Sequence, residues 1–303
     1  MENNNRPKVV NSITELHQIL GLPKPTNPLI TLIDHSLERE QTELGNQKMV
    51  LNFYNVTIKR SFQGQLKYGK SHYDFDEGTM SFLSPNQVLS IDEKGERNKD
   101  GWSLLFHPEL IANYGLSKII KNYGFFSYGV NEALHLSDKE EQIIENLVKN
   151  IQEEYNSTID LYSQDVIVSN LELLLNYCNR FYNRQFITRK MASTDLLAIF
   201  ENKLSKKFDE NLQAQLPTVK SIASEMNVSP NYLSDMLRTV TGQNTQQYIH
   251  SKLIEKAKEY LTTTSKSIGE ISFQLGFEHS QSFNRLFKSK TDLSPLEYRN
   301  SFN

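Results

Sequence analysis

The chain has 303 residues, 38% of them hydrophobic and 23% charged, with a formal net charge of −3. That length favours two domains, each able to bury a core of its own. No run approaches the roughly 18 apolar residues of a membrane helix, and the start, MENNNRPKVVNS, lacks the apolar centre of a secretory signal. A single cysteine, Cys178, excludes a disulfide framework or a cysteine zinc site, so a reducing cytoplasm is the expected home.

Residues 1–48 read as a partly extended lead-in, where Pro23, Pro25 and Pro28 discourage regular helix. From Met49 to about Phe106 the texture is β: short runs such as VLNFYNVTIKRSF, GTMSFLSP and GWSLLFH, punctuated by Gly64, Gly69, Gly78, Pro85, Gly95 and Gly101. Several short strands at that spacing predict a small sandwich or barrel over about 49–106.

After Pro108 the periodicity becomes helical, and two helices are predicted within about 137–182. Ser137-Asp-Lys-Glu140 is a capping-box start, followed by Ile143, Ile144, Leu147, Val148 and Ile151 at helical spacing. A second helix carries Ile167, Leu171, Leu174, Leu175, Cys178 and Phe181, with Cys178 a buried small hydrophobe. These helices either cover their own domain's core or form the seam of a homodimer. The polar, basic stretch NRFYNRQFITRK over 179–190 reads as linker, with the boundary set at 186–192 between a first domain over 1–185 and a second over 193–303.

The second domain repeats itself. Ile222-Ala223, Asn227-Val228, Leu233, Met236-Leu237, Thr241-Gly242 and Tyr248 recur as Ile271-Ser272, Gly276-Phe277, Phe283, Leu286-Phe287, Thr291-Asp292 and Tyr298. The offset is 49 residues as far as Val228/Phe277 and 50 from Leu233/Phe283 onward, so the second turn holds one extra residue. Each copy reads as helix, sharp turn at a residue that tolerates positive φ, then a second helix with one apolar and one polar face. Two helix–turn–helix units are therefore expected, over 218–239 and 268–291, joined by a helix from Thr245 to Leu261 that fixes their spacing. Residues 191–303 carry 13 basic and 12 acidic side chains. That balance predicts modest non-specific affinity for nucleic acid, with discrimination left to placed contacts.

The C-terminal 110 or so residues resemble the DNA-binding domain of the AraC/XylS family of bacterial transcription regulators. The resemblance runs through SPNYLSDMLRTVTG, YIHSKLIEKAKEYL and SIGEISFQLGFEHSQSFNRLFKSKTDLSPLEYR. Departures are Lys252 where the family has arginine, Asp292 where it has glycine, and Ser272 where it has alanine. The N-terminal half more loosely resembles the family's cupin-like sensor domains. Together these imply an α+β protein of two domains. A cupin-like β domain with two following helices precedes an all-α domain of two helix–turn–helix units joined by a linker helix. The implied partners are double-stranded DNA, RNA polymerase and a small-molecule effector, with activation the family's commoner mode.

Asn231, Ser234, Asp235 and Arg238 in the first reading helix are the candidate DNA-binding residues, with His279, Ser280, Gln281, Asn284, Arg285 and Lys288 in the second. Arg238 suits guanine or phosphate, Gln281 adenine, Arg285 guanine and Lys288 phosphate, whereas Asp235 either accepts from cytosine N4 or is solvated or paired internally. Lys220, Thr245 and Ser294 mark helix starts whose backbone N–H groups can meet phosphates. The sensor reading draws its pocket from Tyr54, Tyr68, Phe75, Phe82, Trp102 and Phe106, which alternatively fill the barrel core. A cupin-type enzyme or sensor with a DNA-binding tail is the alternative function. It is disfavoured because His72 stands alone where a paired metal motif is wanted, with His107 and His135 in separate elements. Asp74, Asp76 and Glu77 read as a solvated turn rather than catalytic carboxylates. No cofactor or metal is expected, and no enzymatic activity.

Overall fold

A computed structural model of the chain describes residues 7–37, 48–60, 78–90, 100–129, 132–188, 190–209 and 216–302. The chain forms two compact units, Met1–Gln185 and Phe186–Asn303.

In the first unit, β1 (Lys8–Val10), α1 (Ile13–Ile19) and β2 (Ile30–Asp34) precede β3 (Lys48–Leu51), β4 (Tyr54–Lys59), β5 (Thr79–Leu83), β6 (Val88–Ser90), β7 (Gly101–Phe106) and β8 (Leu134–His135). These strands build a five-stranded antiparallel sheet in the order β2-β7-β4-β5-β8 and a three-stranded sheet in the order β1-β3-β6. The lead-in expected over 1–48 is thus part of the framework: β1 pairs in parallel with β3, and β2 pairs with β7 from Ile30/Phe106 to Asp34/Trp102. Ser12 caps α1 by accepting from the Glu15 N–H at 3.1 Å, and Ile30, Thr31 and Ile33 of β2 are buried. At the start of β7, Gly101 has φ 136°, and a Cβ there would lie 2.1 Å from the Ile58 carbonyl oxygen. Only glycine fits that approach.

The two faces of the five-stranded sheet differ. Ile33 and Leu105 pack with Val10, Leu16, Met49, Leu51 and Phe53 in a core shared with the smaller sheet. Thr57 and Ser103 project to that same side, because alternate residues share a face. Trp102, Leu104 and Phe106 project to the opposite side.

Helices α2 (Pro108–Ile111) and α3 (Leu116–Ile119) follow β7, and α4 (Asp138–Asn156) and α5 (Ser163–Thr188) follow β8. The Ser137 N–H donates to Glu140 at 3.0 Å, as a capping box requires. α4 buries Ile144, Leu147, Val148 and Ile151, and α5 buries Leu171, Leu174, Leu175, Cys178 and Phe181. Burial pushes the Cys178 thiol well above its ordinary pKa, which keeps it protonated and inert. α5 also runs six residues beyond the expected Tyr182. Of the linker expected over 186–192, residues 186–188 complete α5, and 190–192 open α6 (Lys190–Asp209). No proline or glycine lies between Ser163 and Asp209 to stop a helix.

In the second unit α6 precedes α7 (Val219–Glu225), α8 (Pro230–Thr241), α9 (Thr245–Thr263), α10 (Ile268–Gln274), α11 (Ser280–Thr291) and α12 (Pro295–Asn300). α7–α8 and α10–α11 are the two copies, with α9 between them. No described helix is long and apolar enough to cross a membrane.

Candidate nucleic-acid interface

The turn of each unit is set by hydrogen bonds that the sequence repeat preserves. After α7, Asn227 takes φ 55°, its N–H donates to the Ser224 carbonyl at 3.1 Å, and the Val228 N–H donates to the Ala223 carbonyl at 3.1 Å. After α10, Gly276 takes φ 88°, its N–H donates to the Phe273 carbonyl at 3.0 Å, and the Phe277 N–H donates to Ser272 at 3.1 Å. This paired pattern closes a helix through a left-handed residue and frees the chain to reverse. The extra residue of the second copy is Glu278, because the N-cap of α8, Ser229, directly follows Val228, whereas His279 at the N-cap of α11 follows one residue later.

Ala223 and Ser272 are both fully buried where the two helices of each unit cross. The Ser272 hydroxyl has no hydrogen-bond partner among the described residues. Leu233, Met236 and Leu237 are buried beneath α8, and Phe283 and Phe287 beneath α11. Phe277, Phe283, Phe287 and Tyr298 form a run of aromatic contacts with ring centroids 5.5–5.7 Å apart. Both α8 and α11 end in a left-handed residue, Gly242 at φ 75° and Asp292 at φ 61°, so the aspartate adopts the conformation for which glycine is favoured.

With the inner faces fixed, the outer faces follow. Asn231, Ser234, Asp235 and Arg238 occupy one face of α8 at i, i+3, i+4 and i+7, and Gln281, Asn284, Arg285 and Lys288 repeat it on α11. Asn231 and Arg238 are exposed, while Ser234 and Asp235 are half-buried and engaged within the protein. The Ser234 hydroxyl lies 3.0 Å from that of Thr245, which is fully buried; Asp235 lies 3.4 Å from the Arg238 guanidinium. Asp235 and Arg238 thus form an i,i+3 pair on the face of α8. Thr245 ties α8 to α9 through its side chain, and Asn244 caps α9 by accepting from Gln247 at 2.9 Å. Lys220 is exposed, and Ser294 caps α12 by accepting from Glu297 at 3.2 Å. On α11, His279, Gln281, Asn284, Arg285 and Lys288 are exposed and Ser280 is half-buried.

The linker helix is braced from α6. The Tyr248 hydroxyl donates to Glu201, and Lys252, the residue that departs from the family's arginine, lies 3.7 Å from that same carboxylate and 3.1 Å from Glu255. Burial and the Glu201 partner raise the Tyr248 pKa, so the phenol stays protonated and donating. Lys207 reaches Glu225 at the end of α7 at 2.6 Å. Sequence reasoning missed this brace, because it joins residues 47 positions apart that no local pattern connects.

In the first unit the described aromatic candidates Tyr54, Phe82, Trp102 and Phe106 do not face the other sheet. Tyr54 stacks on Phe106 at 5.0 Å, Phe82 lies 4.5 Å from Phe125 and 6.0 Å from Tyr182, and the Trp102 N–H donates to Glu145 of α4 at 2.8 Å. They occupy the face that the following helical segments cover. Tyr68 and Phe75 lie outside the described residues, as do His72, Asp74, Asp76 and Glu77. The opposite face carries a polar row instead: His35 lies 2.8 Å from Ser103, which lies 2.8 Å from Thr57, which donates to Asn55 at 3.0 Å. Burial lowers the His35 pKa and favours the neutral ring. His107 caps α2, and His135 bonds through its N–H to Gln185 at 2.9 Å. Among the described residues no three histidine, cysteine or acidic side chains converge to hold a metal.

Comparison with known proteins places this geometry. Residues 222–301 match the family described as a helix-turn-helix domain. The chain is 34% identical over 91 residues to the regulatory protein SoxS of Salmonella typhimurium, covering 30% of this chain and 84% of that protein. It is 30% identical over 129 residues to the uncharacterised HTH-type transcriptional regulator YijO of Escherichia coli, covering 43% of this chain and less than half, 44%, of that protein. The C-terminal domain of the two-component response regulator yesN from Fusobacterium nucleatum shares 30% identity over 33% of this chain and 96% of its own, with a TM-score of 0.29. The chain belongs to the AraC family of DNA-binding transcription regulators.

Proposed function

We propose that this regulator reads two adjacent major grooves, one with α8 and one with α11. The observation that carries the reading is the repeat of the same turn bonds and the same four-residue outer row in both units. A 19-residue helix such as α9 spans ~28 Å, close to the ~34 Å between successive major-groove faces of B-DNA. Its capped start and its brace to α6 suit a rigid spacer. Rigidity preserves the gain from linking two weak readers.

On this reading Arg285 and Gln281 contact guanine and adenine, Arg238 and Asn231 serve the first groove, and Lys288 holds phosphate. His279, Ser280 and Asn284 complete the second reading surface, whereas Ser234 and Asp235 contribute through their contacts within the protein. The protein acts as an activator that brings RNA polymerase to a nearby promoter. Its cupin-like N-terminal unit adjusts DNA engagement through a small effector or through pairing of two chains, in the cytoplasm. The aromatic candidates then serve as core, and the row His35, Ser103, Thr57 and Asn55 supplies the polar groups an effector would meet.

Spacing tests the proposal. Into a duplex that the protein itself selects from a random library, five base pairs are inserted between the two contacted segments. The insertion turns one groove to the far side, so affinity should fall at least 10-fold, by loss of one unit's contacts. Unchanged affinity would contradict paired reading by a rigid spacer.

A further inference from the structure

The two reading helices are copies in shape but not in charge: α8 is neutral and α11 is basic. At equivalent positions fifty residues apart, Asp235 on α8 stands where Arg285 stands on α11. α8 carries one acid and one base, and the two are paired at 3.4 Å. α11 carries Arg285, Lys288 and Lys290 and no acid. Ser234 is tied to Thr245, while its counterpart Asn284 is exposed and has no side-chain partner among the described residues. Among the described residues, neither Gln281 nor Arg285 has a side-chain hydrogen bond or ion pair.

We infer that α11 supplies most of the affinity and sequence discrimination, and that Asp235 keeps α8 a self-neutralised, weak reader. The inference rests on the paired-groove reading above. Its physics is direct. A carboxylate turned toward a polyanion is repelled, and it removes from the interface the charge that Arg238 would otherwise offer to a phosphate. The Arg238 side chain is 62% exposed and that of Asp235 28%, so the pair is a surface one and the effect is a modest bias rather than a lock. Arg285 meets no such competitor, and its planar fork is available for bidentate contact.

The test uses the full chain, a duplex it selects from a random library, and binding measured across a salt series. The wild-type footprint is recorded first. Two protected grooves uphold the paired reading and one refutes it, whatever the variants then show. Arg285→Ala should weaken binding about 10-fold or more and flatten base preference in one half of the site. Arg238→Ala should weaken it less than about 3-fold, as an exposed charge already neutralised would. Asp235→Asn should tighten binding and steepen the salt dependence by about one unit of slope, as the freed arginine engages a phosphate. All three side chains lie outside the hydrophobic core, and helical circular dichroism checks that the fold is kept. The inference is overturned if Asp235→Asn weakens binding or alters preference at a single base pair, or if Arg238→Ala costs as much as Arg285→Ala.

Discussion

Ser272→Ala should make the protein more stable, which polar-to-apolar changes at a DNA-binding fold rarely do. Ser272 is fully buried at the crossing of α10 and α11, and its hydroxyl finds no partner among the described residues. An unsatisfied buried hydroxyl costs about 1–3 kcal/mol, and alanine is the better helix former by about 0.5 kcal/mol. The lost oxygen leaves a small void that takes back a few tenths of a kcal/mol. The slot itself accepts alanine, since Ala223 fills the equivalent position of the first copy. A net gain of about 1–2 kcal/mol corresponds to a rise of about 4–8 °C for a unit of this size. Trp102, the chain's single tryptophan, reports only the first unit. Far-ultraviolet circular dichroism at 222 nm should therefore show the upward shift while the tryptophan fluorescence transition stays where it was. An unchanged or lowered dichroism transition would show that the hydroxyl is satisfied, and would refute the reasoning.

Further outcomes follow from the same geometry. Asp292→Gly should stabilise the second unit by about 1 kcal/mol, read by chemical denaturation, because it relieves a left-handed aspartate and removes an acid from a helix C-terminus. Gly276→Ala should destabilise that unit by about 1 kcal/mol or more at φ 88°, and thermal melting would show it. Glu270 and Glu297 close the capping boxes of α10 and α12, and the N–H bonds of Ser267 and Ser294 hold both carboxyls below their ordinary value of 4.5. Their contribution is present above pH 4.5 and is lost as the pH falls through the lowered folded values, so Glu270→Gln and Glu297→Gln together should flatten the acid limb of the stability curve. Arg60→Ala should destabilise the first unit and shift Trp102 emission. It strips the cation from Glu141, Glu145 and Asp100 while the indole N–H remains on Glu145.

The helix–turn–helix units were legible because their information is local. Asn227 and Gly276 at the turns, Ser229-Pro230 at a helix start, and apolar residues at helical spacing each name their own conformation. The outer faces followed from the same periodicity. What the sequence hid depends on partners far along the chain. β2 looked like lead-in because its role is to pair with β7, seventy residues on. α5 outran its expected end because a polar, basic stretch contains nothing that breaks a helix, and polarity alone does not make a linker. Tyr54, Phe82, Trp102 and Phe106 lie on strands, but which face each occupies is set by register, which moves every side chain with a shift of one. Register placed Trp102 and Phe106 against helices, and left Thr57 and Ser103 facing the core that the two sheets share.

The central claim is that one chain reads two successive grooves. Hydroxyl-radical footprinting of the full chain on its selected duplex tests it most directly. The account predicts two protected segments about one helical turn apart, on the same side of the DNA, with Arg285→Ala erasing protection of one of them. A single protected groove, or two that a reading-helix substitution leaves unchanged, would contradict it.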